Sequence, residues 1–212
     1  MNIIQKHTDD GLRYYDVDGK HYASVTEVVN HKGSVGLQIW RDKLGHDVAD
    51  YEMKRCAKRG SDTHKLIEDY LLGEKSKDKQ VLPTGLFALM KPHLDRLSVI
   101  VLESKLYSHK LRIAGTVDCI ALDKETGKLT VVDFKTSNKK GKVRTEHWLQ
   151  TTAYALMWME MHPTDNVEQL IIIKASEDGY CVSTSSDYLP YVSTLKTYID
   201  DYYKMMEVQY DN

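Results

Sequence analysis

The spacing of apolar residues changes rhythm several times along this chain. Residues 13 to 24, RYYDVDGKHYAS, place β-rich residues on both sides of Asp18 and Gly19, which predicts a hairpin turned by that pair. Ser24, followed three residues later by Glu27, reads as a capping box that opens a short helix, VTEVVNHK. Helical spacing recurs from near Gly36 through LQIWRDKLG, over about 47 to 72 with a break or kink near Gly60, and over 83 to 98.

Beyond residue 98 the period shortens. VIVLESKLYS, LRIAGTVDCIALD and KLTVVDFKTS are β-branched and alternating, separated at HK and KETGK, and predict a three-strand meander. Residues 145 to 162 form a helical pattern stopped by Pro163. VEQLIIIKAS then reads as a buried strand, GYCVSTSS as its edge partner, and about 187 to 207 as a closing helix. Helices, three strands, a helix, a strand and a helix make an α/β chain with a mixed central sheet flanked by helices. At 212 residues it fits one domain. Its expected parts are an N-terminal hairpin and helices (1–98), a sheet core (99–184) and a C-terminal helix (185–212).

Composition narrows the class. A hydrophobic fraction of 42% and a charged fraction of 28% describe a globular chain. The opening residues lack an apolar signal core, and no run of about 18 apolar residues occurs, so the expectation is a protein of the cytoplasm with no membrane partner. Three widely spaced cysteines exclude a disulfide framework or a four-thiolate cluster within one chain. DVDG at 16 to 19, with Glu27 twelfth from Asp16, suggests a calcium loop, but His21 stands where such a loop needs glycine. A formal net charge of −2 decides nothing about a polyanionic partner, yet KRCAKR (54–59) and KKGKVR (139–144) are local basic clusters.

Asp133 and Lys135 carry the chemistry. Charges in a central strand cost several kcal/mol unless paired or bound to a metal. Positions i and i+2 share a face, so Asp133 and Lys135 point the same way, as do Thr116, Asp118 and Ile120 on the preceding strand. If the hairpin aligns Asp118 with Asp133, two carboxylates and an ammonium converge. Two carboxylates at one point call for a cation, and oxygen ligands suit Mg²⁺. The alternative is a cross-strand ion pair on a solvated face. Gly115 permits a close approach beside Asp118. Gln150 and Tyr154 share one helix face, as do His64 and Glu68. Glu103 is a further acid able to line the same cleft.

These residues stand in a recognisable order. RGSDTHKLIEDYL, GTVD, DFK and QTTAY resemble the motifs of the PD-(D/E)XK nucleases, in the RecB-like branch that includes the mitochondrial genome maintenance exonuclease and the Cas4 nucleases. The resemblance spans about 59 to 154, and YASVTEVV with LQIWRDKLG extends it upstream. It implies the restriction-endonuclease-like core and a Mg²⁺- or Mn²⁺-dependent deoxyribonuclease. Asp118, Asp133, the Phe134 carbonyl and His64 would hold metal, Lys135 would polarise the attacking water, and Gln150 and Tyr154 would position the strand or the lysine. The Cas4 cysteines are missing, so no iron–sulfur cluster is expected. Val117 stands where the motif's proline would be, and the second acid is aspartate.

On that reading the basic clusters sit at the rim of the cleft. Arg59, Lys139, Lys140, Lys142 and Arg144, with Ser137, would contact the nucleic-acid backbone, and some of the fourteen tyrosines and three tryptophans would stack on unpaired bases. The expected activity is exonucleolytic, on single-stranded DNA or duplex ends, in replication, recombination or DNA degradation in a bacterial or phage-infected cell. The rivals are a structure-specific or nicking endonuclease on the same core and a non-catalytic nucleic-acid-binding module.

Overall fold

The computed structural model describes residues 2–9, 11–76 and 80–210. The chain opens with three strands, β1 (Ile3–His7), β2 (Arg13–Val17) and β3 (Lys20–Ser24), and four helices, α1 (Val25–Asn30), α2 (Ser34–Leu44), α3 (His46–Leu71) and α4 (Val81–Leu94). The meander β4 (Leu97–Ser108), β5 (Ile113–Asp123) and β6 (Leu129–Ser137) follows. The chain then runs through α5 (Thr145–Met161), β7 (Gln169–Ser176), β8 (Gly179–Ser185) and α6 (Leu189–Tyr210).

Among the described residues all eight strands form one mixed sheet in the order β1-β2-β3-β5-β6-β7-β8, with β4 paired along β5. β3 with β5 and β6 with β7 are parallel; the other neighbours are antiparallel. Alternation of apolar residues fixes which way each central strand faces. Val131 of β6 and Leu170 of β7 pack with α1, α5 and α6, whereas Val132, Phe134, Ile171 and Ile173 pack with α3 and α4. Burying such a side chain fully contributes about 1.5–3 kcal/mol, so a one-residue slip would forfeit a whole face. No helix among the described residues is long and apolar enough to cross a membrane.

The mixed sheet and its flanking helices match the expected class, and the Asp18-Gly19 turn is present, both residues taking the positive φ that a two-residue hairpin turn needs. Asp16 accepts from the Gly19 N–H at 2.8 Å and pairs with Lys6 at 2.6 Å, which gives the DVDG carboxylate a structural use.

Two local expectations are corrected, and one strand is added to those expected. β1 was not foreseen: it is a short edge strand, largely exposed, so its pattern is weak. The capping box does not form; Ser24 Oγ instead meets Thr26 Oγ1 at 2.9 Å and accepts from Arg13 Nε at 3.2 Å. α3 runs through Gly60 without a break over 26 residues. A Cβ at that position would lie 3.6 Å from Thr136 Oγ1, an ordinary contact with the end of β6.

Candidate active site

The site lies where the sheet splits. β4 pairs along one edge of β5, and on the other edge β3 pairs at Ile113 and Ala114 and β6 at Cys119 to Leu122. Residues 115 to 118 are left without a strand partner on that edge. The β5–β6 ladder ends at Cys119 and Val132, and the next residues along are Asp118 and Asp133. There the Phe134 N–H donates to Asp118 Oδ2 at 2.8 Å, so a carboxylate takes the place of a ladder carbonyl.

β4 brings a third acid. Leu102 pairs with Cys119 and Ser104 with Val117, which sets Glu103 opposite Asp118. The register depends on a bulge between Val99 and Val101; without the inserted residue Leu102 would face Asp118. Glu103 has φ 43°, a conformation that costs a non-glycine residue about 1–3 kcal/mol. From α3, His64 points its Nδ1 at Glu103 and Asp118, 3.8 Å from a carboxylate oxygen of each. One ligand atom from each of His64, Glu103 and Asp118 falls within a 4.8 Å cluster.

The His64 ring is oriented from behind. Its Nε2 lies 2.9 Å from the Phe134 carbonyl, so Nε2 is the protonated nitrogen of the neutral ring and the Nδ1 lone pair is directed at the acids. Burial opposes a charge on this ring, but Asp118 and Glu103 outweigh it and raise the pKa to about 9. The acids thus draw a proton into a position that suits a cation.

Asp133 and Lys135 do share a face, and their carboxylate and ammonium are 2.7 Å apart. Asp133 is 1% exposed, and its Oδ2 is buried with no hydrogen-bond partner. Burial raises its pKa and the Lys135 charge opposes that rise. On Lys135 burial works against the charge, but Asp133 and Asp118 keep its pKa above the ordinary lysine value. From α5, Gln150 Nε2 donates to Tyr154 Oη at 3.3 Å. Burial, with Asp118 nearby, lifts the Tyr154 pKa far above its usual value, so the phenol stays a proton donor.

A cleft of about 1000 Å³ opens over His64, Glu103 and Lys135 and is walled by Gly60, Ser61 and Lys65 of α3 and by Arg13 and Thr26. A recess of about 190 Å³ continues past Glu103 to Asp118, Gln150 and Tyr154. His64, Asp118, Lys135, Gln150 and Tyr154 thus line the two hollows from α3, β5, β6 and α5, with Glu103 added by β4, while Asp133 and Phe134 lie behind them, bonded to Lys135 and to Asp118 and His64. Arg13, which lines both hollows and donates to Ser24 and Thr26, has no local signal in the sequence.

The basic residues divide. Lys139, Lys140, Lys142 and Arg144 are exposed on the loop between β6 and α5, and Ser137 Oγ donates to the Lys139 carbonyl at 2.8 Å. Arg59 is buried instead of standing at the rim, because its guanidinium turns inward to Asn138 and holds the base of that loop.

The sequence model of the PD-(D/E)XK nuclease superfamily matches residues 81–204. Among solved structures, the crystal structure of SSO0001 aligns with a TM-score of 0.48 at 17% identity, over 86% of this chain and 75% of that one. LHK-Exo in complex with dAMP aligns with a TM-score of 0.41 at 12% identity, over 89% of each chain. No curated protein sequence matches the chain.

Proposed function

Since the chain belongs to the PD-(D/E)XK nuclease superfamily, we propose that it is a divalent-metal-dependent DNA exonuclease. It hydrolyses phosphodiester bonds of single-stranded DNA or duplex ends, in DNA replication, recombination or degradation. The observation that carries the reading is the convergence of the His64, Glu103 and Asp118 ligand atoms, where the open cleft over His64, Glu103 and Lys135 continues into the recess at Asp118, with Asp133 buried behind Lys135.

The donor set fits a hard or borderline divalent ion such as Mg²⁺ or Mn²⁺: two carboxylates and one imidazole nitrogen, with the unpartnered Asp133 Oδ2 and the Phe134 carbonyl adjoining. His64, Glu103, Asp118 and Asp133 would hold it. When bound, the ion supplies Lewis-acid neutralisation of the phosphate's growing negative charge.

The chain's own groups do the rest. Lys135, fixed by Asp133, is kept protonated and partly exposed toward the cleft, where its ammonium orients a water and balances charge on the phosphate oxygens. Gln150 and Tyr154 offer an amide and a protonated phenol in the recess, positioned to hold the strand or to steady Asp118. Phe134 acts through its backbone, the N–H holding Asp118 and the carbonyl holding His64.

Digestion of end-labelled linear and covalently closed single-stranded DNA in Mn²⁺ tests the exonuclease. Linear DNA is expected to disappear into small products while circles persist. Cutting of circles at a comparable rate would replace the exonuclease with an endonuclease.

A further inference from the structure

Lys135 has a like-charged neighbour that the hydrolytic site does not use. In the parallel β6–β7 ladder Lys135 is in register with Lys174, so the two side chains leave adjacent strands on the same face. Like charges side by side destabilise a sheet unless something negative lies between or beside them. Lys135 is satisfied by Asp133 at 2.7 Å. Among the described residues the Lys174 ammonium reaches only the Gly141 carbonyl, at 3.4 Å.

α5 packs on the sheet face that carries Lys135 and Lys174, against Val131 and Leu170 of the same two strands. Its cap residue, Arg144, makes no capping side-chain bond to the opening N–H groups in the first turn of this 17-residue helix; its carbonyl accepts from the His147 N–H at 3.1 Å. His147, in that turn, is 8% exposed, and its Nδ1 is buried without a hydrogen-bond partner. Burial foremost, and then the charges of Lys135, Arg144 and Lys174, push its pKa down to about 3. The carboxylate in this turn, Glu146, stands 3.9 Å from Arg144 Nε, a weak and half-exposed pair. Positive charge, an uncapped helix end and an unpartnered ring nitrogen thus meet with little to balance them.

We propose that Lys174, Arg144, His147 and the N-terminus of α5 form a phosphate-binding subsite, which holds a backbone phosphodiester adjacent to the one positioned at Lys135. This inference rests on the nuclease reading and adds to it a contact outside the hydrolytic residues. The loop 138–144, which carries Lys139, Lys140 and Lys142 and touches Lys174 through Gly141, forms one wall of the subsite. Lys174 is a binding and positioning residue here, so its loss acts on affinity and KM before kcat.

The test is binding of a fluorescent single-stranded oligonucleotide in EDTA across a salt series, together with cleavage kinetics in Mn²⁺. The proteins are wild type, Lys174→Ala, Lys174→Arg and Lys135→Ala. Loss of one phosphate contact lowers the slope of log affinity against log salt by about 0.7 for a single strand. Lys174→Ala is expected to show that drop, with roughly tenfold weaker binding, a raised KM and little change in kcat; Lys174→Arg restores all three. An oligonucleotide with a neutral methylphosphonate at the subsite phosphate lowers wild-type affinity and leaves Lys174→Ala unaffected. Unchanged affinity, salt slope and KM in a folded Lys174→Ala protein, with wild-type cleavage intact, would overturn the subsite and leave the nuclease standing. A Lys174-dependent salt slope in a wild-type protein that cuts nothing would keep the subsite and overturn the nuclease.

Discussion

The Tyr154 ring occupies the space that a side chain at Gly115 would need: a Cβ built there lies 2.9 Å from Tyr154 Cε1 and 3.3 Å from its hydroxyl oxygen. The tyrosine is buried, and Val25 Cγ2 lies 3.3 Å from the same built Cβ. Gly115→Ala therefore pushes the phenol off Gln150. We expect a loss of about 1–3 kcal/mol in stability and a fall in kcat larger than any change in KM, read by thermal melts and steady-state cleavage. A variant as stable and active as wild type would show that the close packing is slack.

Glu103 combines a left-handed backbone with a place in the proposed metal cluster. Glu103→Gly removes a side chain from a left-handed backbone position and is expected to raise metal-free stability by about 1 kcal/mol. The same change removes one of three clustered ligand atoms, so Mn²⁺ affinity, followed by calorimetry, should fall at least tenfold. Lower stability together with unchanged Mn²⁺ binding would assign Glu103 to the fold instead of the site.

Much of this was legible before the structure. The meander, the long helices and the Asp118–Asp133 alignment follow from period-two alternation and a short polar turn, which are local signals. Glu103 was visible as a charge breaking an apolar strand, but its place opposite Asp118 depends on a bulge whose register no local pattern announces. Arg13, His147 and Lys174 owe their roles to strand order and helix docking, so nothing in their neighbours along the chain marks them. Gly60 is no guide here: α3 continues through it, and a Cβ there would meet Thr136 Oγ1 only at an ordinary 3.6 Å.

His147 gives the fold an acid-sensitive leg. Its ordinary pKa of 6.5 is pushed down to about 3, so between those values the unfolded chain binds a proton that the native ring refuses. This contribution to stability is fully present above about pH 6.5 and is lost as pH falls toward 3. In metal-free melts from pH 4.5 to 7.5, His147→Phe should lose less stability on acidification than wild type. Parallel curves would show that the ring is not held neutral.

Asp133 and Lys135 are each other's compensation in the core. Asp133→Ala leaves a mostly buried ammonium without its partner, and a loss of about 3 kcal/mol is expected, toward the lower end for a broken buried pair because Lys135 is 23% exposed. The double variant Asp133→Ala/Lys135→Met should recover much of it in denaturant titrations. Full additivity of the two changes would mean that the pair is not coupled.

The most direct test of the nuclease site is release of nucleotides from end-labelled linear single-stranded DNA in Mg²⁺, Mn²⁺ or EDTA by wild type, Asp118→Asn and Lys135→Ala. Metal-dependent release by wild type, lowered by a factor of about 10² or more in both folded variants, is the predicted result. Release that persists in EDTA, or that survives undiminished in both variants, would contradict the assignment of hydrolysis to this cleft.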